Sequence, residues 1–189
     1  MSHVEDYRGQ LIAAIAAVNE DAINAWIERL ARARREKATI FVAGNGGSAA
    51  TASHFATDLG KGASYGKDER FRIVALTDSL STITAYANDV SYDVVFAEQL
   101  RNLGGSGDVL VTISGSGSSP NIITVIETAK ELGIDVVALT GFDGGSSGLL
   151  ANIHVNVPSD HMGRIEDVHM ALCHTAAFYF MGSDDHTAH

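Results

Sequence analysis

The chain is poor in cysteine, in basic residues and in long apolar runs. Cys173 is the single cysteine among 189 residues, which excludes an intramolecular disulfide and suits a reducing cytoplasm. Thirteen lysines and arginines stand against 23 aspartates and glutamates, for a net charge of −10. That balance argues against nonspecific nucleic-acid binding and against anionic membranes. No apolar run reaches the roughly 18–20 residues a bilayer span requires. The opening stretch MSHVEDYRGQ has no basic region leading into an apolar block, so no secretory leader is expected. An anionic ligand would therefore be held by locally aimed donors, against the overall field.

What is present is a repeating pattern of short apolar runs and helical segments. Hydrophobic residues make up 46% of the chain, and the length suits one compact α/β domain spanning residues 1–189. Five β-branched or apolar runs, at 39–43, 72–77, 109–114, 135–140 and 152–157, read as strands. Between them lie helical segments such as 121–132, where Ile122, Ile123, Val125, Ile126 and Ala129 share a face. Near-continuous apolar strands alternating with helices predict a five-stranded parallel sheet covered on both sides, a three-layer αβα sandwich. Residues 3–35 read as one or two long helices ahead of the first strand, and 164–180 as a closing helix. Leu11, Ile12, Ile15, Val18, Ile23, Trp26, Ile27 and Leu30 give the N-terminal segment (1–36) more apolar positions than one sheet face should need, so it is expected to mediate oligomerisation. The polar tail, 182–189, is expected to be disordered.

Two strand-to-helix loops carry the candidate chemistry. Gly44-Asn45-Gly46-Gly47-Ser48-Ala49 formally matches G-x-G-x-x-A, and Asp78 after the second strand could stand for the ribose acid of a dinucleotide site. The match is weak alone, since many such turns use glycine only for its backbone freedom. The third strand runs into Ser114-Gly115-Ser116-Gly117-Ser118-Ser119-Pro120, with Ser119 placed as N-cap and Pro120 in the first turn of the next helix. Hydroxyls and free N–H groups at a helix start make an uncharged anion cradle. Composition alone also fits a flexible serine-glycine loop, but the carboxyl end of a parallel strand is where α/β sheets bind ligands. A dinucleotide fold needs one such loop, whereas two serine-bearing loops point to a small phosphorylated molecule held between them.

The helix after the first loop carries His54 and Asp58 at i, i+4, on one face. His54 lies about 9 Å along the axis from Ser48, at about 1.5 Å per residue. One element could thus serve a phosphate and a reacting carbon several bonds away. The closing helix offers Glu166, His169 and His174. Glu166 and His174 share a face but stand about 12 Å apart on an ideal helix, so they meet at one centre only by reaching toward it from both sides, or if Glu166 precedes the helix proper. Taken singly, each histidine is more often structural than functional.

With these residues in hand, the chain resembles the sugar isomerase (SIS) domains, and among them the bacterial phosphoheptose isomerases. The resemblance covers nearly the whole chain through GNGGSAATASHF, NDVSYDVVF, GDVLVTISGSGSSPNI, ALTGFDGG and RIEDVHMALCH. It implies a SIS fold with an N-terminal helical extension, a cytoplasmic homotetramer with active sites between subunits, and interconversion of sedoheptulose 7-phosphate with D-glycero-D-manno-heptose 7-phosphate through an enediol(ate). Carried over by position, Ser48, Ser114, Ser116 and Ser119 bind the phosphate, with Gly46 in the same elbow. Asn45 and Asp89 lie near the sugar hydroxyls, and Glu166 also contacts substrate. Asp58 and His174 are the catalytic pair. His54, Asp58, Glu166 and His174 fall on a zinc-ligand set, implying one Zn²⁺ per subunit.

The match has departures. Aspartate replaces glutamate at 58 and glutamate replaces glutamine at 166. Gly115, Gly62 and Gly163 stand where the family has threonine, arginine (near 62) and aspartate. The residue types nevertheless suit the reaction: an aldose–ketose shift needs a base for the proton α to the carbonyl and an acid for the enediol oxygens. Two imidazoles and two carboxylates suit Zn²⁺, which would stabilise an enediolate oxygen. Two competing readings exist. A non-catalytic SIS relative of the DnaA-binding type would lack the ionisable pair at 58 and 174. A phosphosugar-sensing regulator would normally carry a further domain, for which this chain has no room.

Overall fold

Side chains of the first strand, β1 (Thr39–Gly44), alternate between two apolar cores: Ile40 and Val42 enter one, Phe41 and Ala43 the other. The neighbouring strands repeat this alternation, with Val109, Val111 and Ile113 on the first face and Leu110 on the second. A sheet buried on both faces must be covered twice, and the helices divide accordingly.

In the computed structural model, which describes residues 2–182, five strands pair in the order β2-β1-β3-β4-β5 and every pairing is parallel. The remaining strands are β2 (Arg72–Ala75), β3 (Val109–Ser114), β4 (Asp135–Thr140) and β5 (Ile153–Asn156). The helices are α1 (His3–Ala16), α2 (Glu20–Glu36), α3 (Gly47–Thr57), α4 (Leu80–Asp89), α5 (Ala97–Leu103), α6 (Pro120–Glu131), α7 (Gly145–Leu150) and α8 (Met162–Met181). A π turn, Asp58–Gly62, continues α3. Residues from α2, α3 and α8 fill the first core and residues from α5 and α6 the second. This is the αβα sandwich with a five-stranded parallel sheet read from the sequence. The tail at 183–189 lies outside the described residues.

The N-terminal segment differs from expectation in how its apolar residues are used. It forms two helices, separated where the Asn19 side chain accepts from the N–H groups of Asp21 and Ala22 to cap α2. Trp26 and Leu30 are fully buried and Val18 and Ile27 nearly so, all within the first core. Only α1 presents apolar side chains outward, with Ile12 61% and Ile15 42% exposed. Helix α4 likewise buries none of its residues fully. Among the described residues no helix is long and apolar enough to cross a membrane.

The strand order reverses between β1 and β3, since β1 leads to β2 on one side while β3 leads to β4 on the other. At such a switch point the following helices, here α3 and α6, leave on opposite faces and open a crevice beyond the strand ends. Both serine-bearing loops sit there.

Candidate active site

The crevice between the two loops is a cleft of about 270 Å³ lined by Asn45, Gly46, Gly47, Ser48, Ser114, Gly115, Ser116 and Ser119, with Met162 and Glu166 from α8 closing it. Gly46 is the N-cap of α3 and provides no capping side chain, and the Ser119 hydroxyl, at the N-cap of α6, makes no capping bond. Both helix starts therefore direct backbone donors and free hydroxyls at the cleft instead of capping themselves. Ser114 Oγ accepts from the N–H of Gly117 at 3.2 Å and Ser116 Oγ from the N–H of Ser118 at 3.2 Å, which orients both hydroxyls. The loop is braced from outside by the Ser147 N–H donating to the Gly117 carbonyl at 2.8 Å and the Gly141 N–H to the Gly115 carbonyl at 2.9 Å. Such bracing distinguishes a preformed cradle from a flexible serine-glycine loop.

Asn45 lines the cleft but is held by a pair that sequence reasoning did not find. Its Nδ2 donates to Asn121 Oδ1 at 2.8 Å, Asn121 Nδ2 donates back to Asn45 Oδ1 at 2.9 Å, and the Tyr92 hydroxyl donates to the same oxygen at 3.0 Å. The available signal was Asn121 itself, a polar residue directly after Pro120 at the head of an otherwise apolar helical face. Asp89 does not join this cleft. It ends the exposed helix α4, accepts from Asn88 Nδ2 at 2.8 Å, and lines a separate depression with Ser81, Thr82 and Tyr86.

At the far end of α3 three ionisable side chains converge. His174 Nε2 stands 3.0 Å from His54 Nε2, and Asp58 Oδ2 lies 3.3 Å from His54 Nε2, one turn before it, and 3.8 Å from His174 Nε2. The i, i+4 spacing on α3 sets one pair, and α8 delivers the third residue across the first core. Asp58 Oδ2 is buried without a hydrogen-bond partner, a costly state for a carboxylate oxygen unless something else satisfies it. The two imidazoles remain about half exposed, so the centre is open to a ligand. Nitrogen and oxygen ligands around a tetrahedral Zn²⁺ at about 2.0–2.1 Å stand about 3.3–3.4 Å apart. The observed spacings bracket that value, so the distances among the three side chains suit a metal ion of this kind.

Glu166 is not part of this trio, contrary to the four-ligand set the resemblance implies. Its carboxylate lies flat against Gly47, where a Cβ would meet Oε1 at 2.7 Å, and among the described residues the metal-competent cluster is His54, Asp58 and His174. The reason is the helix rise: two turns of α8 separate Glu166 from His174, and α8 is a regular helix through both.

His169, the third candidate on α8, is structural. It is fully buried, and Nε2 lies 3.0 Å from the Thr140 carbonyl. A carbonyl only accepts, so Nε2 carries the proton. Burial lowers its pKa to about 4, against a smaller upward pull from that hydrogen bond. Burial and the nearby Asp58 charge push the Cys173 thiol far upward, which leaves it protonated and inert.

Two of the glycine departures have local explanations. A Cβ at Gly115 would collide with Met162 Sδ, and one at Gly62 with the terminal methyl of Met181. Both places are filled by methionines of α8.

Residues 5–141 match the family model described as SIS domain. The chain is 45% identical over 143 residues to the phosphoheptose isomerase of Colwellia psychrerythraea, covering 72% of this chain and 70% of that one. It is 38% identical over 180 residues to the phosphoheptose isomerase of Bordetella avium, covering 92% and 88%. The solved structure of phosphoheptose isomerase GmhA from Neisseria gonorrhoeae superposes with a TM-score of 0.86 at 34% identity, covering 94% of this chain and 96% of that one.

Proposed function

The chain belongs to the SIS domain family and, within it, to the phosphoheptose isomerases; from that membership we propose that it interconverts sedoheptulose 7-phosphate and D-glycero-D-manno-heptose 7-phosphate. The observation that carries the reading is the span of α3. Its first turn enters the serine cleft and its last turn enters the His54–Asp58–His174 centre. A sugar phosphate anchored by its phosphate at one end presents its carbonyl end at the other.

In this reading Asp58 takes the proton from the carbon α to the carbonyl. The C–H electron pair moves into the carbon–carbon bond, and the carbonyl oxygen accepts a proton from His174, giving the enediol. The adjacent hydroxyl then loses its proton as the neighbouring carbon regains one, which yields the isomeric carbonyl. His54, 3.0 Å from His174 Nε2, orients that imidazole. Ser48, Ser114, Ser116 and Ser119 hold the phosphate, and Asn45, fixed by Asn121, faces the sugar. A Zn²⁺ held by His54, Asp58 and His174 would take over that acid role, supplying Lewis-acid stabilisation of the enediolate oxygen in place of the His174 proton.

We further propose that residues 1–189 act as one SIS domain in a cytoplasmic homotetramer. The exposed apolar residues of α1 and the unburied helix α4 support assembly. Asp89, remote from its own cleft, would then serve a neighbouring subunit's site. The single, buried cysteine suits a reducing compartment.

The deciding experiment is NMR of the purified protein with sedoheptulose 7-phosphate in D₂O. Aldose signals should appear, with deuterium incorporated at the carbon next to the aldehyde, the former carbonyl carbon of the ketose. A protein that turns over no phosphosugar would return the chain to the binding-module reading.

A further inference from the structure

The cleft assigned to the phosphate contains an acid and no base. Among its lining residues Glu166 is the sole charged side chain, and its carboxylate covers the first residue of α3, with Oε1 and Oε2 at 2.7 and 2.8 Å from where a Gly47 Cβ would be. No hydrogen bond or ion pair joins Glu166 to any other described residue. A carboxylate is thus placed beside the first residue of α3, within the serine-lined cleft, and accepts no hydrogen bond from the donors around it. Helix starts favour negative charge, so the unliganded cleft already holds one.

We propose that Glu166 is an internal anion of the phosphate cleft, which the substrate's phosphoryl group must displace or oppose, so that this side chain sets the affinity for the phosphate end. The inference rests on the assignment of the cleft in the proposed function. Two features support it. First, the cleft offers a bound phosphate only neutral donors, so no lysine or arginine compensates the charge of Glu166. Second, Gly47 lacks the side chain that would keep the carboxylate away. A phosphate dianion within about 5 Å of a carboxylate is repelled strongly enough, at the dielectric of a half-open cleft, to cost about tenfold or more in affinity. The same repulsion leaves a neutral polyol unaffected, so Glu166 would discriminate by charge alone.

The test uses the full-length protein and inorganic phosphate, followed by ³¹P NMR titration. E166Q keeps the size and shape of the side chain and removes its charge. It should bind phosphate at least about tenfold more tightly than the parent, with the gap shrinking in 1 M KCl as the charges are screened. E166A should move affinity in the same direction, which guards against an effect peculiar to the amide. The same titration on S119A locates the ion, because loss of binding in that variant places phosphate in the cleft. If S119A loses phosphate but E166Q binds it no better than the parent, the inference about Glu166 is wrong and the cleft assignment stands. If phosphate binding ignores S119A, the cleft assignment falls and the inference with it. Binding by neither the parent nor E166Q also overturns the proposal.

Discussion

Helix α3 begins in a cleft of serine hydroxyls and backbone N–H groups beside one carboxylate and ends where three ionisable side chains converge, and the two ends are assembled by different means. The serine cleft is made by loops at a strand-order switch, and its parts are fixed locally: Ser114 by Gly117, Ser116 by Ser118, and the loop as a whole by the turn at 141–147. The His–Asp–His centre is made by two helices, α3 and α8, whose contributing residues are 120 positions apart in the chain. The first end has its loop braced before any ligand arrives, with its donors left free. The second holds two imidazole nitrogens 3.0 Å apart and a buried carboxylate oxygen with no partner. The difference matches the proposed division of labour, in which one end binds a fixed charge and the other must change protonation.

The comparison breaks most visibly at the ionisable end. Asp58→Asn and His174→Ala should each lower kcat by about 10²–10⁴, the usual size of an acid–base contribution, with a smaller effect on KM. Steady-state kinetics with sedoheptulose 7-phosphate would settle this. If both variants turn over at the parental rate, the chemistry lies elsewhere.

His169 and His174 extend the contrast along one helix. The His169 imidazole is near its ordinary pKa of 6.5 when unfolded and at about 4 when folded. As pH falls from about 6.5 to 4, the unfolded chain takes up a proton that the native chain refuses, so stability is full above this window and lost through it. That lowering corresponds to about 3 kcal/mol. His169→Gln removes the titration while leaving a donor for the Thr140 carbonyl. The Tm advantage of the parent over this variant should therefore shrink between pH 7.5 and pH 4.5. A gap independent of pH would show that His169 is not held neutral.

How legible these features were in the sequence follows from how far apart their parts lie. The two loops and the His54–Asp58 spacing are local patterns, readable because strand ends, glycine turns and i, i+4 geometry are fixed within a few residues. The parallel sheet was legible in the same way. Glu166 was not. Its place relative to the metal set depends on the axial position of α8 against α3, which packing of Ile165, Val168 and Leu172 into the first core decides. The sequence signal that bears on it is the rise of about 12 Å between Glu166 and His174 on an ideal helix. The Asn45–Asn121 pair was hidden for a similar reason, since it joins helix starts on opposite faces of the sheet. The apolar residues of α2 look surplus in the sequence because periodicity counts them without saying which face they meet.

Zinc offers a way to perturb one end alone. The metal at 100 times its Kd should stabilise the native protein by about 2.7 kcal/mol, read as a raised Tm that His54→Ala abolishes and Ser119→Ala does not. Stabilisation surviving in His54→Ala would remove the ion from this centre. Conversely, Ser119→Ala or Ser114→Ala deletes a hydroxyl facing the phosphate, worth about 1–3 kcal/mol for a bond to a charged group. Each should raise KM while changing kcat less. An unchanged KM in both would place the phosphate outside the cleft.

The smallest expected effect is also the finest test of how the ionisable end is dimensioned. Asp58 is one methylene shorter than the glutamate the family resemblance leads one to expect, yet Oδ2 already stands 3.3 Å from His54 Nε2 and 3.8 Å from His174 Nε2. The π turn that begins at Asp58 changes the course of the backbone at that residue, and such turns often mark functional positions. Restoring the longer side chain with Asp58→Glu keeps the charge and the chemistry, and its extra methylene can be taken up on the side facing the half-exposed imidazoles. Activity should be preserved within about fivefold or raised, a change of about 1 kcal/mol or less in the barrier. A fall beyond about 100-fold would mean that the spacing of these three atoms is tuned to aspartate. In that case the centre tolerates no shift of its carboxylate, and the serine cleft is the more forgiving half of the site.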